Sequence, residues 1–209
     1  MNRATYIGAA CLVLGIVFWI FPPFRVVSLK QVEAARAQTV FNAADFAAKF
    51  WLERLGPALN SAPDAAMVLE ALAKDSKSAS TNYGRTIGMS DTVFYLMRGT
   101  GVVVSAEAKG VGVALRGGEA DLLLKTGLLF GNTVRDATGQ LSASEFPNSQ
   151  QFNDVSTELN RIVESQIIPN LKTNAATGRA LRFVVCAEIS EDDAEERPLK
   201  VIPIRVEFP

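Results

Sequence analysis

The sequence predicts an α+β protein in which a membrane anchor, a small helical subdomain and a five-stranded β-barrel follow one another along the chain. Three observations lead to this prediction: an uninterrupted apolar run near the N-terminus, apolar residues at helical spacing as far as Leu72, and short glycine-bounded runs of β-forming residues after Thr92. The expected boundaries are residues 1–28 for the anchor, 29–80 for the helical subdomain and 81–209 for the barrel.

The N-terminal segment has nearly the length of a membrane span. No charged side chain interrupts residues 6–21, and the apolar character continues to Phe24, whereas a spanning helix needs about 17–25 apolar residues. Three interpretations stay open: an uncleaved signal anchor, a signal peptide cleaved after Ala37, where Ala35 and Ala37 form a small-x-small pattern, and lipidation at Cys11. The length of the run favours the anchor, so we expect contact with the membrane through residues 6–24.

The next part of the chain predicts two amphipathic helices. Asn42 is a suitable cap for the first helix, and Gly56 and Pro57 are expected to end it. A second helix is expected to begin around Asp64 and to continue through Leu72. The polar residues 74–78 that follow are typical of a solvent-exposed loop.

The rest of the chain predicts strands on both sides of one long helix. The strand-forming runs before the helix are 92–97, 102–106, 111–115 and 122–126, and those after it are 181–189 and 199–208. Gly99 and Gly101 are expected to mark a bend or a bulge. Asn148 is expected to cap the helix, with Gln151 in the capping-box position, and Pro169 is expected to end it.

A strand meander, one helix and a final hairpin follow in the order of a five-stranded OB barrel, in which a helix stands between the third and fourth strands. The last two strands are expected to pair antiparallel, and Pro203 predicts that the final one is bulged or lies at an edge. We expect Phe152, Leu159 and Ile162 to face the barrel.

The composition excludes several classes of function. The formal net charge of -1 gives no basic excess, so we expect no nucleic-acid partner. The chain contains no histidine, which removes the usual general base, the usual zinc ligand and every Ser-His or Cys-His catalytic pair. We therefore expect no enzymatic activity, no metal and no cofactor.

Three further patterns favour a structural interpretation. Gly99 and Gly101 lack the third glycine of a dinucleotide-binding motif, because Val104 stands at that position. The acidic run at residues 191–196 lacks the spacing of a calcium loop and is typical of a solvated hairpin tip. Cys186 lies within a strand-forming run, which indicates a buried and unreactive thiol.

The candidate binding site is the stretch of residues 126–137. Gly127 and Gly131 frame an apolar turn, after which Arg135 stands next to Asp136. In one interpretation Arg135 binds loop carbonyls or a carboxylate and Asp136 caps a short turn, so that both are structural. In the other, Arg135 and Asp136 form a ligand site that binds an anion through the guanidinium. The sequence favours the structural interpretation.

Several segments in this order carry a family resemblance: NYGR at 82–85, RGTGV at 98–102, GLLFGNTVRDA at 127–137, EF at 145–146, QQF at 150–152, ELN at 158–160 and IPI at 202–204. They resemble a bacterial family of unknown function, the domain of unknown function 2291 family, whose members are described as predicted periplasmic lipoproteins. The chain departs from that family at Leu128, where a proline is usual, and in the poor lipidation motif before Cys11.

The resemblance implies a role in the cell envelope and brings no activity with it. Family members are often encoded beside sugar-type ABC transporter genes, so the resemblance implies a transporter component as partner. We therefore expect a non-enzymatic accessory or binding protein, anchored in the inner membrane with its soluble domain in the periplasm. The alternative is a scaffold that contacts another membrane protein through the helical subdomain.

Overall fold

The computed structural model describes Ser28 and residues 41–88, 90–190 and 196–209. The predicted anchor therefore lies outside the described residues except for Ser28, as does most of the acidic run at 191–196. None of the helices in these ranges is long and apolar enough to cross a membrane.

Residues 42–209 form one compact unit. The described helices are α1 (Ala43–Glu53), α2 (Leu55–Ser61), α3 (Ala65–Lys74), α4 (Ser76–Tyr83), α5 (Thr133–Thr138), α6 (Ser149–Ile162) and α7 (Ile168–Asn174). A 3₁₀ turn covers Ala143–Glu145, and a π-helical turn, Val163–Ile167, joins α6 to α7. The strands are β1 (Gly84–Thr86), β2 (Val93–Glu107), β3 (Gly110–Ala114), β4 (Leu122–Lys125), β5 (Ala180–Ile189) and β6 (Leu199–Glu207).

Five of the strands close into a barrel in the order β2-β3-β4-β6-β5, with β5 paired back to β2. Neighbouring strands are antiparallel except β4 and β6, which run parallel. Helices α5 to α7 lie between β4 and β5, the third and fourth strands of the barrel. The predicted α+β class and the OB-like strand order are therefore confirmed, as is the antiparallel pairing of the last two strands.

The strand β2 is longer than the sequence predicts. The two runs expected on either side of Gly99 and Gly101 form one continuous strand of 15 residues. Its first part pairs with β5 and its last part with β3, and the bulge lies between Val103 and Ser105 rather than at the glycines. The expected break at the glycines was wrong because both residues remain in extended backbone. The bulge expected near Pro203 is present, since Val185 faces Pro203 while Val184 faces Arg205.

Two predictions about the N-terminal helices were also wrong. Gly56 and Pro57 do not end the first helix, because α1 ends before them at Glu53. Both residues lie in the first turn of α2, where a proline is tolerated because the first backbone N–H groups have no helical partner. Residues 76–78 belong to α4, since the Asp75 carboxylate accepts the backbone N–H groups of Lys77 and Ser78 and so caps a new helix. The predicted boundary after residue 80 falls within this helix.

The long helix before β5 continues past its expected end. Asn148 caps α6 as predicted, and its side chain accepts the Gln151 N–H at 2.9 Å. The reciprocal bond of a capping box is not formed, because Oε1 of Gln151 is buried without a partner. Pro169 lies in the first turn of α7 instead of after the last turn, because the π-helical turn ends α6 there and a new helix begins.

The helix α6 packs mainly on α1 and α5. The Phe152 ring meets Phe146 at 5.2 Å between centroids, and Phe146 meets Phe46 of α1 at 5.1 Å. Leu159 is fully buried, but neither it nor Phe152 nor Ile162 belongs to the core cluster that contains the barrel strands. The prediction that Phe152, Leu159 and Ile162 face the barrel was therefore wrong. The core of the barrel instead receives side chains from other helices: Ala65, Val68, Leu69 and Leu72 of α3, and Leu171 of α7.

An ion pair joins α1 to the connection before α6. Nη1 of Arg54 donates to Oε2 of Glu145 at 2.8 Å, and Nη2 donates to the Gln140 carbonyl at 2.5 Å. The hydrogen bond from Arg54, together with the backbone N–H of Ser142, lowers the pKa of the Glu145 carboxyl below its ordinary value. Arg54 thus joins the end of α1 to the chain segment that precedes α6.

Candidate functional site

The candidate site begins with a short apolar loop, residues 127–131, between β4 and α5. Leu128 and Phe130 are 76% and 79% exposed, whereas Leu129 between them is buried. Gly131 has a φ of 82°, a left-handed conformation that favours glycine, and the chain turns there into α5. The apolar loop therefore presents two large apolar side chains to solvent and inserts a third one into the protein.

Side chains from the long helical connection hold the apolar loop in place. Oε1 of Glu164, in the π-helical turn, accepts the backbone N–H of Leu129 at 2.6 Å. Nδ2 of Asn160, a buried residue of α6, donates to the Gly131 carbonyl at 3.0 Å. Because these backbone groups are satisfied inside the protein, the exposed side chains project from a fixed support.

Arg135 and Asp136 lie directly behind the apolar loop in α5. Nε and Nη2 of Arg135 donate to Oδ1 and Oδ2 of Asp136 at 2.6 and 2.9 Å, a two-bond ion pair between sequence neighbours. Nη1 donates to the Phe152 carbonyl at 3.3 Å and to Oδ1 of Asn153 at 3.2 Å. The guanidinium also stacks on the Phe152 ring, 3.7 Å from its centroid. Arg135 thereby connects α5 to α6.

The pair is almost completely buried, with Arg135 5% and Asp136 2% exposed. Nδ2 of Asn132 donates a further hydrogen bond to Asp136, and the Thr138 hydroxyl donates to the Arg135 carbonyl at 2.8 Å. Each guanidinium nitrogen already has an acceptor, which is the geometry that the structural interpretation requires. Anion binding at Arg135 and Asp136 stays a prediction, which thermal melts can test.

Among the described residues, the other candidates, Cys186 and Glu196 of the acidic run, lie where their surroundings indicate no reactive or metal-binding site. Cys186 is fully buried in β5, and burial raises the pKa of its thiol, so the reactive thiolate is disfavoured at neutral pH. Glu196, the described member of the acidic run, accepts a hydrogen bond from the Lys200 ammonium at 2.5 Å. Across the described ranges no group of three or more His, Cys, Asp or Glu side chains could hold a metal ion.

A cleft lined by three arginines, here called the arginine cleft, was not predicted from the sequence. It lies beside β2, β5 and β6 and the turn between α2 and α3, has a volume of about 310 Å³, and contains Arg98, Arg182 and Arg205. These residues stand far apart in the sequence, so only closure of the barrel brings them together. The one signal for this cleft in the sequence is that Arg205 alternates with apolar residues in the last strand, which places its side chain on the outer face of the barrel.

Comparison with known families shows what the chain is related to. The family described as "Predicted periplasmic lipoprotein (DUF2291)" matches residues 14–207, nearly the whole chain. The chain belongs to this family. The resemblance inferred from the sequence motifs is thus confirmed, and membership of DUF2291 assigns the protein to the cell envelope.

One solved structure is similar to this DUF2291 member. It is an OB-fold protein from Thermotoga maritima with 26% sequence identity and a TM-score of 0.73, and the match covers 81% of this chain and 99% of that one. This similarity agrees with the OB-type strand order found here. A comparison with curated proteins gives no significant match.

Proposed function

We propose that this DUF2291 protein is a non-enzymatic, membrane-tethered accessory protein that docks to a component of a sugar-type ABC transporter. The observation that carries the proposal is the apolar loop, in which Leu128 and Phe130 are exposed while the backbone around them is held by Glu164 and Asn160. A non-enzymatic role is supported by the lack of histidine in the sequence and by the burial of the Cys186 thiol.

The apolar loop has the properties of a docking element. Burying a leucine or a phenylalanine side chain contributes about 1.5–3 kcal/mol each, so Leu128 and Phe130 together could supply several kcal/mol of binding free energy. Aromatic side chains such as Phe130 are enriched at protein interfaces. Because the loop backbone is already ordered, little conformational entropy is lost when a partner covers it.

A tether to the membrane would make such a small contact sufficient for binding a membrane partner. The sequence predicts membrane contact through residues 6–24, and a tether confines the protein and a membrane partner to the same surface. Confinement raises the effective concentration of the partner without any further contact. We infer that the tether is in the inner membrane, with the barrel in the periplasm, because the proposed partner works there.

The alternative function is a scaffold that contacts another membrane protein through its N-terminal helices. This alternative is favoured by two other exposed apolar side chains, Leu52 of α1 and Met67 of α3, which are 81% and 57% exposed. They provide a matched control for the apolar loop, because they are similar in size and exposure and lie outside it.

Co-purification from native membranes tests the proposal. The full chain, affinity-tagged at its C-terminus, is compared with the double variants Leu128→Ser/Phe130→Ser and Leu52→Ser/Met67→Ser. We expect the wild type to retain a transporter component and the loop variant to lose it by at least roughly tenfold, since the apolar contribution of two side chains is removed. Both variants should melt like the wild type, because all four side chains are exposed.

The two proposed functions are distinguished by which of the two variants loses its partner. Loss of a transporter component only in the loop variant supports docking through the apolar loop. Loss of another membrane protein only in the Leu52→Ser/Met67→Ser variant supports the scaffold. Retention of the same partners by both variants, or no partner with the wild type, would contradict both proposals.

A further inference from the structure

The arginine cleft lies on the outer face of three neighbouring strands. Arg98 of β2 faces Val184 of β5, and Val184 faces Arg205 of β6. Arg182 stands two residues before Val184 on β5 and faces Glu207. Arg182 is therefore diagonal to both other arginines, and diagonal neighbours in a sheet are about 7–8 Å apart, within reach of long side chains.

The arginines of the cleft lack the partners that Arg135 has. Nη1 of Arg205 donates to Oδ1 of Asn60 at 3.3 Å. In the part of the chain that the structure describes, the side chains of Arg98 and Arg182 have neither a hydrogen bond nor an ion pair. Both guanidinium groups are exposed, so their donors are available to a ligand.

The acidic residues of the cleft do not neutralise it. The Asp64 carboxylate accepts the backbone N–H groups of Ala66 and Met67 and caps α3. Glu207 faces Arg182 across the strands but forms no ion pair within 4.0 Å in the described residues. Three guanidinium groups thus share the cleft with two carboxylates, so positive charge is in excess there. A bound anion would offset that excess.

The remaining walls of the cleft suit an organic group attached to the anion. Leu59 contributes an apolar side chain, and Asn60 and Thr100 contribute an amide and a hydroxyl that can pair with ligand hydroxyls. The volume of about 310 Å³ is at the lower end of the range for small-molecule sites and exceeds what a bare anion needs.

We propose that the arginine cleft binds the phosphate group of a small organic phosphate monoester. A phosphate monoester bears about 1.5–2 negative charges at neutral pH and presents three acceptor oxygens, which match several guanidinium forks better than a carboxylate does. The phosphate could come from a soluble metabolite or from a lipid headgroup. None of the cleft residues belongs to the apolar loop, so this site is independent of the proposed docking function.

Isothermal titration of the full chain in detergent and phosphate-free buffer tests the site. The probes are glucose 6-phosphate, glucose, and two short-chain lipids, dihexanoyl phosphatidic acid and dihexanoyl phosphatidylcholine. We expect saturable binding of at least one of the two phosphate monoesters and no binding of glucose or phosphatidylcholine. Binding of glucose 6-phosphate indicates a soluble source, and binding of phosphatidic acid alone indicates a headgroup.

Two variants show whether the cleft is responsible. Arg182→Gln should weaken binding by roughly 10- to 100-fold, the effect of losing hydrogen bonds to a charged group. Arg116→Gln makes the same change of charge at an exposed arginine that pairs with Glu70 outside the cleft, and should leave affinity within about twofold. The inference is overturned if no phosphate monoester binds, if glucose binds equally, or if both variants weaken binding alike while melting like the wild type.

Discussion

Replacing Arg135 with alanine is expected to lower the free energy of unfolding by about 3–5 kcal/mol, because it removes one partner of a buried ion pair and leaves the other charge uncompensated. Among the described residues, the carboxylate of Asp136, 2% exposed, would retain only its hydrogen bond from Asn132. The substitution also removes the stacking on Phe152 and the hydrogen bond to the Asn153 side chain, which connect α5 to α6.

A thermal melt measures the effect. For a domain of this size, each kcal/mol shifts the melting temperature by about 2–4 °C, so a decrease of roughly 6–20 °C is expected. Arg161→Ala is the matched control, because its ion pair with Glu158 involves a 66% exposed arginine side chain and such pairs contribute about 0–1 kcal/mol. An unchanged melt of Arg135→Ala would reject the structural role and favour anion binding by Arg135 and Asp136.

A double-mutant cycle distinguishes loss of the pair from general damage to the helix. The variant Arg135→Ala/Asp136→Ala removes both charges, so no buried carboxylate is left unpaired. Its loss of stability should be smaller than the sum of the two single losses, with a coupling in the range of about 0.5–3 kcal/mol. Additive losses would mean that the ion pair between these neighbours contributes nothing specific.

The substitution Gly101→Val is expected to lower the free energy of unfolding by at least about 3 kcal/mol, the upper part of the range for overpacked cores. A Cβ atom at Gly101 would lie 2.5 Å from Cγ1 of Val113 and 2.7 Å from the Ala114 carbonyl oxygen. The carbonyl belongs to the paired backbone of β3, so it cannot yield without opening the barrel. Chemical denaturation of the wild type and the variant measures the difference.

The matched control for this prediction is Gly56→Ala. No atom lies within 4 Å of a Cβ built at Gly56, and the residue is in the first turn of α2. Stability should be unchanged or should rise by less than about 1 kcal/mol, because alanine is a better helix former than glycine. If Gly101→Val were as harmless as Gly56→Ala, the close approach of β2 and β3 would be contradicted.

The order of strands and helices could be predicted from the sequence because it depends on local patterns. The caps at Asn42 and Asn148 are features of a few adjacent residues. Gly101 shows where local patterns were insufficient. A glycine that breaks a strand and one that lets two strands approach closely look the same in a sequence, and only the neighbouring strand distinguishes them.

The two arginine sites differ in the same way in how far the sequence predicts them. Arg135 could be predicted as a candidate because its main partner, Asp136, is its neighbour in the chain. Its contacts to residues 152 and 153 depend on how α5 packs against α6, which the sequence pattern does not contain. The arginine cleft depends on the register of three strands that are distant in sequence, so it could not be predicted without the closed barrel.

Site-specific photo-crosslinking in native membranes is the most direct measurement of docking through the apolar loop. A photoreactive phenylalanine analogue is placed at position 130, and in a second protein at position 52, where the replaced leucine is equally exposed but belongs to α1. We expect a crosslinked transporter component from position 130 and none from position 52. The absence of any adduct at position 130, or the same adducts from both positions, would contradict docking through the loop.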